Sequence, residues 1–274
     1  MAPIERKTCT APDGVVIAYS VAGAGDPAIV FIHGGLANRT FWDESMMILS
    51  ERHRIVAPDL PGHGESGTNR TQWGVPEFGA DVRAVVLAEG LQRVVLVGNS
   101  LGGPVAIEAA LLMPRRVLTV VGVDTFHRLA YGVSAEESRR RAEAFRADFV
   151  GSLKQMVAGL FHRDADPALV ADAERRMAGT SPKAATQILL SLGGYAPKQA
   201  AELLAVPLRA INGDLHPVDI DGVRETCPDF RVRTLTRVGH YPMLERPREF
   251  AQLVEEVIGE LTWSSRRPAP LAVI

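Results

Sequence analysis

Cysteine is scarce in this chain: Cys9 and Cys227 are the only two in 274 residues. They lie far apart and form no metal-ligand spacing, and the chemistry argued below needs no disulfide. A polybasic block is also missing. Acids and bases are scattered and the net charge is −2, which sets nucleic acid aside as a partner. The densest basic run, ESRRRAEAFR (137–146), interleaves Glu and Phe at helical spacing and reads as the solvated face of a helix. The opening stretch MAPIERKTCTAPDG has no apolar signal core and no cleavage pattern. No uncharged run reaches membrane-spanning length. The expectation is a cytoplasmic protein with no membrane partner. Internal repeats are absent, as are phosphate loops, dinucleotide fingerprints and metal-ligand clusters, so no cofactor and no metal are expected. The GAGD at 23–26 is a loop without the helix such a fingerprint requires. Composition leaves the oligomeric state open.

What is present is a chain that is 46% hydrophobic, ample for a core of one large domain. RKTCTAPDGVVIAYSV reads as a hairpin around a Pro-Asp-Gly turn. Six short apolar runs follow: AIVFI (28–32), HRIVA (53–57), RVVLV (93–97), VLTVVGV (117–123), PLRAI (207–211) and RVRTL (231–235). Several lack alternation, as expected of parallel strands covered on both faces. Helical segments separate them, among them PEFGADVRAVVLAEG, LGGPVAIEAALLM and RPREFAQLVEEVIGEL. Strands alternating with helices predict an α/β fold with a mostly parallel sheet.

Residues 134–204 break this rhythm. No strand is legible there. Ser134 with Glu137 fits a capping box, and Asp166-Pro167 and Ser181-Pro182 look like two further helix starts. Phe145, Phe149, Met156, Leu160 and Phe161 recur at helical spacing. The pattern predicts an all-helical insertion lying over the carboxyl edge of the sheet. The core is then 1–133 with 205–263, and a flexible tail occupies 264–274.

The stretch LVGNSLGG carries the chemistry. Gly98-Asn99-Ser100-Leu101-Gly102 has the form G-x-S-x-G, and it leaves a buried strand and opens a helix. A sharp strand-to-helix turn of this kind strains the Ser100 backbone, exposes its hydroxyl and sets it at a helix N-terminus. Small neighbours at 98 and 102 avoid clashes in the turn. A serine needs a base to take its proton. Of the seven histidines, only His240, in TRVGHYPMLERP, follows the last strand and precedes the last helix. An oxyanion needs preset N–H donors. The amide of Leu101 is one, and Gly35 of FIHGGLANRTFW offers the other without side-chain obstruction. His33, Asp59, His63 and Ser66 read as braces for the neighbouring loops, and Trp42 as packing beneath the oxyanion loop.

FIHGGLANRTFW, RIVAPDLPGHGESG, VVLVGNSLGG and RVGHYPMLERPREF, in this order and spacing, resemble the α/β-hydrolase superfamily in its capped, single-domain branch with a serine nucleophile. The resemblance implies an eight-stranded, mostly parallel sheet with helices on both faces and an all-helical cap after the sixth strand. It is specific for fold and far less so for substrate. Branches that cleave halides or epoxides use an aspartate nucleophile, which Ser100 argues against. In the family the acid usually follows the seventh strand in a pattern like G-x-x-D. Here that position, counted from Gly213, holds His216. Asp124, at the end of the sixth strand, is the preferred substitute. Asp214 and Asp219 remain alternatives, and either keeps the chain order Ser–Asp–His.

These expectations amount to a serine hydrolase acting through an acyl-enzyme on an ester, thioester or lactone of modest size and mainly apolar character. Phe126, Phe145, Phe149 and His216 are the candidate substrate-binding residues. Two other outcomes stay open: the same triad used for C–C bond hydrolysis or cofactor-free haloperoxidase chemistry, and a ligand-binding protein on a retired hydrolase scaffold.

Overall fold

The computed structural model describes residues 3–130 and 132–264. Apart from Ser264, the expected tail lies outside the described residues. The chain opens with β1 (Glu5–Thr10) and β2 (Val16–Ala22), joined by the turn in which Gly14 takes φ 86° and Asp13 Oδ1 accepts from Val15 N at 3.2 Å. Then come β3 (Ala28–Ile32), α1 (Asp43–Leu49), β4 (Ile55–Pro58), α2 (Val75–Ala88), β5 (Val94–Asn99), α3 (Gly102–Leu112) and β6 (Val117–Val123). Five helices follow: α4 (Ala135–Ala147), α5 (Phe149–Ala158), α6 (Pro167–Met177), α7 (Pro182–Ser191) and α8 (Pro197–Glu202). The chain then returns to the sheet with β7 (Leu208–Asn212), α9 (Ile220–Arg224), β8 (Arg231–Thr234), α10 (Pro242–Glu245) and α11 (Pro247–Ser264).

The eight strands form one sheet in the order β1-β2-β4-β3-β5-β6-β7-β8. β1 and β2 pair antiparallel, β2 pairs antiparallel with β4, and every other pairing is parallel. β3, β4 and β5 are buried at every position, which explains why their sequences run apolar without alternation. α3 packs on α2, β5 and β6, while α11 packs on α1 and β7, so both faces of the sheet are covered. The short helices α1, α9 and α10 were not expected. Each is seven residues or fewer, too brief for a 3.6-residue period to register.

Helices α4, α6 and α7 of the insertion carry side-chain caps at their starts. Ser134 Oγ accepts from Glu137 N at 3.1 Å, Asp166 Oδ1 from Ala168 N at 2.8 Å and Ser181 Oγ from Ala184 N at 3.2 Å. The reciprocal arm of the capping box is not made, because the Glu137 carboxylate accepts from Arg140 and Arg141 instead. The insertion is tied to the core at several points. Tyr195 donates to Glu108 Oε1 on α3 at 2.9 Å, Thr180 Oγ1 to Leu36 O at 3.3 Å, and Arg176 Nη1 to Thr40 O at 3.1 Å.

Candidate active site

β5 runs to Asn99 and turns at once into α3, and Ser100 is the corner. Its φ is 52°, in the left-handed region that costs an L-residue about 1–2 kcal/mol. Two backbone bonds hold the corner: Ser100 N donates to Val123 O at 3.1 Å, and Gly103 N to Ser100 O at 3.0 Å. The glycines on either side are sterically required. A Cβ on Gly98 would lie 2.0 Å from Gly102 O, and one on Gly102 would lie 2.2 Å from Ile32 O.

Asp124 follows β6 directly and also has a left-handed backbone, φ 45°. Its carboxylate is fully buried. His240 Nδ1 and Asp124 Oδ2 are 2.5 Å apart, and Gly213 N donates to Oδ1 at 3.1 Å. His127 Nε2 approaches the same Oδ1 at 3.5 Å, so two imidazoles flank one carboxylate. Burial alone would raise this carboxyl's pKa. The hydrogen bonds and charges of His127 and His240 outweigh burial and hold it far below the usual carboxylate range.

Asn99 ties the His240 loop to the Ser100 corner. Its Nδ2 donates to Val123 O at 3.0 Å and to His240 O at 2.9 Å. His240 N in turn donates to Leu160 O of the insertion at 2.6 Å. Among the described residues the Ser100 hydroxyl makes no hydrogen bond. Such bonds often tighten only when substrate is in place. The other acids lie elsewhere. Asp214 accepts from the amides of Arg237 and Val238, and Asp219 caps α9. His216 is exposed and sits edge-on to His127, with ring centroids 5.8 Å apart.

Among the described residues neither Gly35 N nor Leu101 N has an acceptor. The glycine whose size matters in this loop is Gly34, not Gly35. A Cβ on Gly34 would lie 2.8 Å from Asn99 Oδ1 and 3.2 Å from Ser100 Cβ, whereas one on Gly35 would make only ordinary contacts at 3.8 Å. His33 Nε2 accepts from Leu60 N at 2.9 Å and His63 Nε2 from Leu36 N at 3.1 Å. Burial lowers their pKa values to about 4 and about 3, so both rings remain neutral and can accept. Asp59 accepts from Arg39 N and Glu65 N, and Ser66 Oγ donates to Asp59 O. Trp42 stacks on Phe31 at 4.6 Å.

A cavity of about 590 Å³ opens beside Ser100, between the β6 exit and the insertion. Leu101, Phe126, Leu129 and Tyr195 are among its walls, and so is Arg128. Three of the expected substrate contacts are not. Phe145 and Phe149 face each other edge-on, 6.0 Å apart, inside the insertion, and His216 lies outside the cavity wall. Helical spacing reveals which residues share a face but not where that face turns. Here it turns toward a neighbouring helix rather than the sheet. Conversely, nothing in the sequence singles out Asn99, His127, Arg128 or Glu245. His127, three residues after Asp124, was the nearest to legible.

Known proteins bear out the architecture. An uncharacterized protein of Mycobacterium tuberculosis is 39% identical over 100 residues, which are 36% of this chain and 29% of that one, so the match spans less than a third of that relative. A pimeloyl-[acyl-carrier protein] methyl ester esterase of Pectobacterium carotovorum is 27% identical over 245 residues, covering 87% of this chain and 84% of the relative. The solved structure of a thermophilic esterase from Thermogutta terrifontis superposes with a TM-score of 0.83 at 22% identity, over 94% of this chain and 99% of that one, a likeness of fold. Residues 29–253 match the model of the Alpha/beta hydrolase family, and the chain belongs to that family.

Proposed function

We propose that this chain is a serine hydrolase that cleaves an ester, thioester or lactone through an acyl-enzyme. Ser100 is the nucleophile, His240 the general base and Asp124 the acid that steadies it; the amides of Gly35 and Leu101 form the oxyanion hole. With Nδ1 bound to Asp124, His240 presents Nε2 as its proton acceptor. It takes the Ser100 proton as Oγ attacks the carbonyl carbon, and the two amides stabilise the oxyanion. His240 then returns that proton to the departing alcohol or thiol, leaving the acyl group on Oγ. Water adds by the same route, its proton passing to His240, and the acid product leaves as Ser100 regains its hydrogen. In this mechanism the helical insertion serves as a cap that walls the acyl pocket.

The observation that carries the proposal is the 2.5 Å contact between His240 and the buried Asp124, one strand from the left-handed corner at Ser100. Two amides without acceptors beside that corner support it. The kinship with a methyl ester esterase that covers most of both chains favours ester chemistry over C–C cleavage or halogenation. A fluorophosphonate should label the wild type stoichiometrically and leave Ser100→Ala untouched. A wild type that takes no label would point to a retired scaffold instead. Asp124→Asn should lower turnover of a p-nitrophenyl ester by on the order of 10⁴, as the corresponding change does in a triad protease, while Asp214→Asn does far less. The reverse ranking would place the acid after β7.

A further inference from the structure

The chain leaves β6 through an unusual pair of turns. Asp124 and Phe126 both adopt left-handed backbones, with φ of 45° and 57°. Between them they drive the Phe126 ring against the sheet: a Cβ on Gly122 would come within 2.4 Å of that ring, and one on Gly103 within 3.1 Å. Three residues on, the segment is pinned again by Leu129, which is 1% exposed. Arg128 lies between these anchors. Its backbone is fixed while its side chain is exposed on the wall of the Ser100 cavity.

The charges around Arg128 do not balance. Among the described residues it has no carboxylate and no hydrogen-bond acceptor. Among the described residues the one acid on the cavity wall, Glu137, accepts from Arg140 through Nε and Nη2 and from Arg141 through Nε, at 2.6–2.9 Å. Those guanidiniums occupy it and hold its carboxyl down to about 2. Arg128 and Arg141 against Glu137 leave the wall with a surplus positive charge, in a chain whose net charge is −2. The rest of the wall is largely apolar, with Phe126, Leu129 and Leu192. A guanidinium beside apolar surface is suited to a planar carboxylate, which it can bind through two parallel N–H groups.

We propose that the Ser100 cavity selects a carboxylate-bearing substrate, an ester or lactone whose acyl or alcohol part ends in a negative charge that Arg128 receives. This rests on the acyl-transfer mechanism above and names the class of substrate for it. It also revises the mainly apolar substrate expected from sequence: the apolar walls hold the carbon chain, and the charged mouth holds its end.

The test compares two esters with the same leaving group: the p-nitrophenyl monoester of glutaric acid, with a free terminal carboxylate, and neutral p-nitrophenyl hexanoate. For the full-length chain the measured quantity is the ratio of their kcat/KM values. Arg128→Gln should lower that ratio on the order of 10-fold, mainly through KM for the monoester, as loss of a charged hydrogen-bond donor does. Arg128→Lys, which keeps the charge but not the two parallel N–H groups, should keep part of it, and Arg139→Gln, exposed on α4 outside the cavity wall, should leave it in place. Rising salt should bring the wild-type ratio toward that of Arg128→Gln. Turnover of both esters with a ratio that Arg128→Gln does not move would overturn the anionic substrate class alone. No turnover of either ester, with no fluorophosphonate label on Ser100, would overturn the acyl-transfer mechanism beneath it.

Discussion

Asn99 does more than its place beside Ser100 suggests. One amide nitrogen satisfies two backbone carbonyls, at the end of β6 and at His240, while its buried Oδ1 has no hydrogen-bond partner among the described residues and faces Gly34. Asn99→Asp would set a carboxylate against two carbonyl oxygens. It should cost more in denaturant unfolding than Asn99→Ala, which loses two bonds worth roughly 1–3 kcal/mol together. Both should lower kcat, because the His240 backbone loses its tether. Asp124 adds a pH dependence. Its folded pKa is depressed, so the stability it contributes is present above the unfolded value of about 3.9 and is lost as pH falls through the lower folded value. The stability gap between wild type and Asp124→Asn should therefore be open at neutral pH and narrow in acid, as read from chemical denaturation at a series of pH values. Ser100, His240 and Asp124 stood out in sequence because each ends or follows a strand in a pattern with a chemical purpose. Arg128 and His127 did not, because their placement depends on two left-handed residues that no turn signal announces: an Asp and a Phe where glycine would be the usual marker.

At the scale of elements, the tight approach of β3, β5 and α3 makes a glycine-dependent seam. A methyl group on Gly98 would collide with backbone, which has no rotamer to yield. Gly98→Ala should cost roughly 4 kcal/mol or more and prevent the corner from forming. Gly35→Ala should stay within about 1 kcal/mol of wild type and keep its amide, because the added carbon has room and the φ is not left-handed. Thermal unfolding of the two variants separates these cases. The sequence expectation placed the need for a bare α-carbon at Gly35; the structure places it one residue earlier, against Asn99. The eight strands were legible because continuous apolar runs bounded by turn residues have few other uses. Strand ends shifted by a residue or two, as at β5, which continues to Asn99 to reach the corner. The short helices were lost for want of a full period.

Across the whole molecule, insertion and core meet at His240, the proposed base. Leu160 O accepts from His240 N, and the half-buried carboxylate of Glu245 accepts from Gly239 N at 2.9 Å and His162 N at 3.4 Å. Arg237 adds an ion pair with Asp164 at 2.7 Å. Glu245→Ala would orphan two amides at this junction. It should speed hydrogen exchange at residues 160–164 and 237–241 and lower kcat about 10-fold, with little change in exchange of the central strands. A helical insertion was legible as a run without strands. Its grip on the His240 loop was not, since that grip joins residues roughly seventy to eighty apart and uses main-chain groups that carry no sequence signal. The proposed assignment of the acid to Asp124, at the tip of β6, has a corollary for engineering. Past Asp214, which braces the turn before His240, the connection between β7 and α9 need supply no charge in that mechanism, so a foreign peptide spliced in at the exposed His216-Pro217 step should leave ester turnover in place.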